Sequence, residues 1–114
     1  MPGAQAQATN MKRMVRYTLM PGRAAENERL VAAVFEALHR ERPPGLRYAT
    51  FRLEDGLSFV HLVSYESGPG DAGDNPLIAL PAFEAFVAGA RDRCATPPVS
   101  VELTEIGSYG FFGG

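Results

Sequence analysis

Tryptophan is absent from this chain and cysteine occurs once, at Cys94. A single thiol excludes an internal disulfide and any cysteine-paired metal site within one chain. Histidine is almost as scarce: His39 and His61 fall on different predicted elements, so no clustered metal-ligand set is predicted. There is no excess of one charge either. The 11 basic and 13 acidic residues leave a net charge of −2, too little to attract nucleic acid or an anionic membrane. Nor does any apolar run approach the roughly 20 residues of a membrane span. The opening MPGAQAQATNMKR lacks the apolar stretch of a secretory signal, so the expected location is cytoplasmic. What is present is an ordinary globular composition, 46% hydrophobic and 21% charged over 114 residues. That size suits one domain, with small molecules or protein surfaces as partners.

Residues 1–10 are small and polar and are expected to form a disordered leader, with a single domain over residues 11–114. In RMVRYTLM, residues 13–20, Val15, Tyr17 and Leu19 alternate with Arg16 and Thr18, predicting a first strand. Pro21 and Gly22 break it. Leu30, Val31, Val34, Phe35 and Leu38 then recur at helical spacing until Pro43, Pro44 and Gly45. LRYATFRL and LSFVHLVSY are two more strands, joined through Glu54, Asp55 and Gly56 as an antiparallel hairpin. A polar loop, SGPGDAGDN, leads to a second helix restarted at Pro81, with Phe83, Phe86, Val87, Ala90 and Cys94 as its stripe. VSVELTEI supplies a fourth strand. The order β-α-β-β-α-β predicts an α+β, ferredoxin-like domain: a four-stranded antiparallel sheet with two helices on one face.

The central hairpin is apolar on both sides, so the face without helices needs a cover, and a second copy about a twofold axis supplies one. A two-residue turn at Asp55 and Gly56 sets Thr50 opposite His61, Tyr48 opposite Val63 and Arg52 opposite Phe59. One face then carries Tyr48, Thr50, Arg52, Phe59, His61 and Tyr65. The other carries Ala49, Phe51, Leu53, Val60 and Leu62 and is the expected seat of the helices. A longer turn with Gly56 as a bulge changes this parity.

With PGRAAENERLVAAVFEAL, PPGLRYATFRLEDGLSFVHLVSY and NPLIALPAFEAFVAGARDRC in this order, the chain resembles the dimeric α/β-barrel superfamily, and within it the antibiotic biosynthesis monooxygenase-like group. The resemblance covers about Met11 to Tyr109. It implies a homodimer whose sheets pack into a barrel, each protomer keeping a small apolar cavity. Some members oxidise aromatic polyketides there with oxygen and neither metal nor flavin, so no cofactor is expected; others cleave haem. The polyketide oxidases carry an asparagine and, four residues on, a tryptophan on the third strand. Those positions are His61 and Tyr65 here, and both identities depart. The second helix has no histidine, which sets haem cleavage aside.

The implied activity is a cofactor-independent monooxygenase acting on a small aromatic or quinone-like substrate; the alternative is a ligand-binding or assembly protein of the same fold. His61 is the candidate acid/base or anchor, because imidazole titrates near neutrality; its competing role is a packed residue bonded to a tyrosine, threonine or backbone group. Tyr48, Thr50, Arg52, Phe59 and Tyr65 are the candidate substrate contacts. Arg16 and Arg52 either hold an anionic ligand or lie at exposed edges. Arg91, Asp92 and Arg93 are expected at a solvated helix end, and Cys94 as a small core residue. The loop at 67–75 is either a lid or simply mobile, and Phe111 and Phe112 either reach a partner subunit or pack on their own sheet. DGLSFVHL also has a superficial likeness to an RNA-recognition strand. Asp55, Leu57 and Leu62 stand where basic and aromatic residues are needed, so that reading fails.

Overall fold

Alternation and helical spacing in the sequence become eight short elements, in a computed structural model that describes residues 9–67 and 76–111. They are β1 (Thr9–Thr18), α1 (Ala24–Glu41), β2 (Leu46–Arg52), β3 (Ser58–Ser67), a 3₁₀ turn (Pro76–Ala79), α2 (Pro81–Ala88), α3 (Ala90–Arg93) and β4 (Val99–Glu102). The sheet order is β2-β3-β1-β4 with every neighbouring pair antiparallel, which is the ferredoxin-like arrangement. β1 begins at Thr9, so its start reaches into the expected leader. The rest of that leader, residues 68–75 of the lid candidate, and Phe112 lie outside the described residues.

Helix α1 stops where Arg42 turns left-handed and Pro43 and Pro44 can donate no amide. Gly45 then takes a φ of +80° directly against the backbone of Glu66, whose amide donates to the Gly45 carbonyl at 3.0 Å. A side chain at Gly45 would collide with the Glu66 carbonyl oxygen. Gly45→Ala is therefore expected to cost about 2 kcal/mol, from the left-handed backbone and the displaced strand end. Thermal unfolding checks it, and an unchanged melting temperature contradicts it.

The hairpin register opposes Thr50 to His61, Tyr48 to Val63 and Arg52 to Phe59. The turn itself is wider than two residues: Gly56 N–H donates to the Leu53 carbonyl, and Leu53 N–H to the Ser58 carbonyl. One residue has been added on each arm, so the parity survives. Asp55 organises this turn by accepting from the amides of Leu57 and Ser58 and from the Ser58 hydroxyl.

The faces are the reverse of the expectation. Phe59, His61, Val63 and Tyr65 of β3, with Val15 and Tyr17 of β1, lie beneath the helices; Ala49, Phe51, Val60 and Leu62 are on the bare side. Two causes favour this. Phe59, Val63 and Tyr17 close into one apolar cluster with Val34, Leu77 and Phe86. The polar groups on that face also bond to one another, which removes the cost of covering them.

The bare side includes Phe51, 47% exposed, and Val99, 60% exposed, with Val101 beside Met14 on the edge strand. Beyond β4 the chain runs exposed through Ile106 and Tyr109 to Phe111, which lines a shallow groove with Ala49, Phe51 and Leu62. Among the described residues no helix is long and apolar enough to cross a membrane.

Candidate functional site

Antiparallel pairing puts Val15 opposite His61 and Thr50 on its other flank, so His61 sits on an inner strand, under the helices. It is 4% exposed. Its Nε2 lies 2.7 Å from the Tyr17 hydroxyl, and its Nδ1 lies 2.6 Å from the Tyr48 hydroxyl and 3.1 Å from Thr50 Oγ1. The Phe86 ring packs 5.3 Å away, centre to centre.

A second polar layer comes from the helices. Asn27 of α1 donates from Nδ2 to the Tyr17 hydroxyl at 2.9 Å, and Arg93 donates from Nε to Asn27 Oδ1 at 3.2 Å. Arg93 also donates from Nη2 to the Phe86 carbonyl at 2.6 Å, and its guanidinium lies over the Phe86 ring. Gly89 leaves room beside this side chain, since a Cβ there would crowd Nη1.

Arg93 is thus 2% exposed, which corrects the expectation of a solvated helix end; Arg91 and Asp92 do face solvent. The reason is helical phase, since Arg93 follows Phe86 by seven residues and shares its buried stripe. Among the described residues no carboxylate forms an ion pair with it.

These groups form one wall of a cavity of about 330 Å³. Its remaining lining is apolar, from Val15, Val63, Leu77, Phe83, Ala90, Cys94 and Pro98, with exposed Ile78 and Val87 at the rim. The volume is at the lower end for small-molecule sites. Burial sets the electrostatics: it pushes His61 down to about 4, so the ring is neutral at pH 7, and Tyr48 up to about 12. Burial also raises Tyr17, against the lowering effect of the Asn27 amide. What this wall can do is orient a ligand oxygen and hold protons in place, within apolar surroundings that strengthen each contact.

The other candidates are scattered. Thr50 and Tyr48 meet His61, but Phe59 stacks on Tyr17 in the core and Tyr65 is buried towards the far end of β3, opposite Leu46. Arg52 is exposed and paired with Glu28 at 2.7 Å, and Arg16 is exposed on the bare face. Cys94 packs against the core and lines the cavity. Tyr17, Asn27, Phe86 and Arg93 were not singled out from sequence as site residues. The available signal was a polar residue on each apolar stripe: Asn27 precedes Val34 by seven, as Phe86 precedes Arg93. Among the described residues no three His, Cys, Asp or Glu side chains cluster as a metal site.

Solved structures share this fold. A Bacteroides thetaiotaomicron protein provisionally called an antibiotic biosynthesis monooxygenase superposes with a TM-score of 0.69, at 22% identity over 86% of this chain and 90% of that one. SnoaB, a cofactor-independent oxygenase from Streptomyces nogalater, gives 0.60 at 21% identity, covering 89% of this chain and 97% of its own. PA3566 from Pseudomonas aeruginosa gives 0.67 at 18% identity, covering 89% and 98%. No protein-family model matches the sequence, and no curated protein does. At these identities the likeness is one of fold, that of the antibiotic biosynthesis monooxygenases.

Proposed function

We propose that the chain is a homodimeric, cofactor-independent oxygenase acting on a small aromatic or quinone-like molecule. The single observation that carries this is an apolar cavity whose one polar wall is a closed network centred on a neutral, buried histidine. The fold shared with an oxygenase that needs no cofactor supports it. The reaction converts an activated ring methylene and dioxygen into a ring carbonyl and water. Loss of the methylene proton supplies the electron pair that oxygen accepts, and the wall built on His61 orients the oxygen atom on which the resulting anion spreads.

Oxygen uptake with a panel of anthrones and hydroquinones tests this. Wild-type turnover is expected, with His61→Ala reducing it about a hundredfold. No turnover by wild type, or equal turnover by the variant, removes the enzyme reading. One observation favours a second reading, a non-catalytic ligand binder: both ring nitrogens of His61 are already engaged, and its low basicity suits anchoring more than proton abstraction. Native mass spectrometry of protein purified from its own host separates the two, since a binder retains an unaltered ligand.

The dimer we propose forms through the bare sheet face. Phe51, Val99 and Val101 lie exposed there with Leu62 and Met14 between the outer strands, and apolar area of this kind in water favours burial against a second copy.

A further inference from the structure

A chain of hydrogen bonds has a direction when one end can only donate. Arginine has no acceptor, so Asn27 must turn its oxygen to Arg93 and its amide nitrogen to Tyr17. The Tyr17 oxygen therefore already accepts one bond, and its remaining contact is His61 Nε2. Two arrangements follow. In one, the Tyr17 hydroxyl donates to Nε2, and the single ring proton sits on Nδ1, facing Tyr48 and Thr50. In the other, Nε2 carries the proton, and the Tyr17 hydroxyl hydrogen has no acceptor among the described residues. Leaving a buried donor unmade is the costlier fault. Tyr17 and Tyr48 both border the cavity, but Tyr17 is buried with Asn27 and His61 both on its oxygen, whereas Tyr48 is only partly buried and meets His61 Nδ1, so its hydroxyl hydrogen can turn to the cavity in the first arrangement.

We propose that Arg93 and Asn27 are positioning residues that hold the proton of His61 on Nδ1, leaving the Tyr48 hydroxyl as the donor offered to a carbonyl oxygen of the molecule in the cavity. The tautomer part stands on the free protein alone; the Tyr48 part rests on the reading of the cavity as a ligand site. Asn27→Asp should reverse the whole chain. A carboxylate has no hydrogen to give, so Tyr17 turns to donate to it, His61 donates from Nε2 to Tyr17, and Tyr48 donates to Nδ1 instead of to the cavity.

The measurement is ¹⁵N–¹H NMR of the full chain with labelled histidine, which reports the protonated ring nitrogen directly. The proton is expected on Nδ1 in wild type and on Nε2 in Asn27→Asp. Tyr17→Phe, which keeps the ring and loses the hydroxyl, should show both tautomers. A wild-type spectrum with the proton on Nε2, or variants that both keep the wild-type spectrum, overturns the tautomer assignment, and a merely structural role for Asn27 would leave the tautomer unmoved. Calorimetry with 1-tetralone tests Tyr48. Binding is expected to weaken about fivefold in Tyr48→Phe and equally in Asn27→Asp, with tetralin, which lacks the carbonyl, unaffected. Equal tetralone affinity in all three proteins, or none in wild type, overturns the role of Tyr48 and leaves the tautomer to the spectra.

Discussion

Between pH 6.5 and pH 4 the protein is expected to lose about 3 kcal/mol of folding stability that a His61→Gln variant does not lose. Burial pushes His61 from an ordinary 6.5 down to about 4, among Tyr17, Tyr48, Thr50 and Phe86, with the Arg93 cation beyond Asn27. As the pH falls through 6.5 the unfolded chain takes up a proton that the folded one refuses, so stability falls until the folded ring also titrates near 4. At about 1.4 kcal/mol for each tenfold change in proton affinity, the gap gives the stated loss. Most of it comes above pH 4.5, before Glu26 and Asp55, held low by Arg23 and by the Ser58 and Leu57 donors respectively, add losses of their own. Urea unfolding at fixed protein concentration from pH 7.5 to 4.5 reads it. Parallel curves for the two proteins would show that His61 is not a neutral buried group.

Leu62→Asp is expected to halve the particle mass in sedimentation while leaving the far-ultraviolet circular dichroism unchanged. Leu62 points away from the helices, between Ala49 of β2 and Met14 of β1, so the domain core does not need it. In a twofold sheet-to-sheet dimer each copy would bury its new carboxylate in apolar surroundings, where desolvation costs several kcal/mol per ion. A wild type that sediments as a monomer, or a variant that stays dimeric, contradicts the proposed assembly.

Element order and hairpin register were legible because they rest on local chemistry. Val34 and Leu38 mark a helix by spacing, the prolines at 43 and 44 end it, and Gly56 with Asp55 fixes which residues oppose each other. The choice of face was not local. It turned on how much area Tyr17 and Phe59 present to Val34 and Phe86, and on whether the polar atoms of Tyr48, Thr50 and His61 would find partners once covered. The network continues from His61 through Tyr17 to Asn27 and Arg93, which lie 34 residues before and 32 after His61 in the chain. Spacing within each helix put both on buried stripes. What a pattern of apolar positions does not weigh is a polar side chain that is tolerated there because another polar group meets it. The site was therefore half visible: Tyr48, Thr50 and His61 from one hairpin, but not the Asn27 and Arg93 layer behind Tyr17.

The inner strand β1 bonds along one edge to β3 and along the other to β4, so the first described segment of the chain is stitched to one of the last. Leu19 bridges Cys94, and the Ala95 amide donates to the Thr18 carbonyl. The hairpin of β2 and β3 closes across a handful of residues and can form early, whereas β4 must return across more than 80 to reach Arg13. During synthesis, then, His61 has its hairpin neighbours Tyr48 and Thr50 long before Arg93 has left the ribosome. The cavity wall therefore cannot be complete until the segment that carries Arg93 has emerged to meet the hairpin.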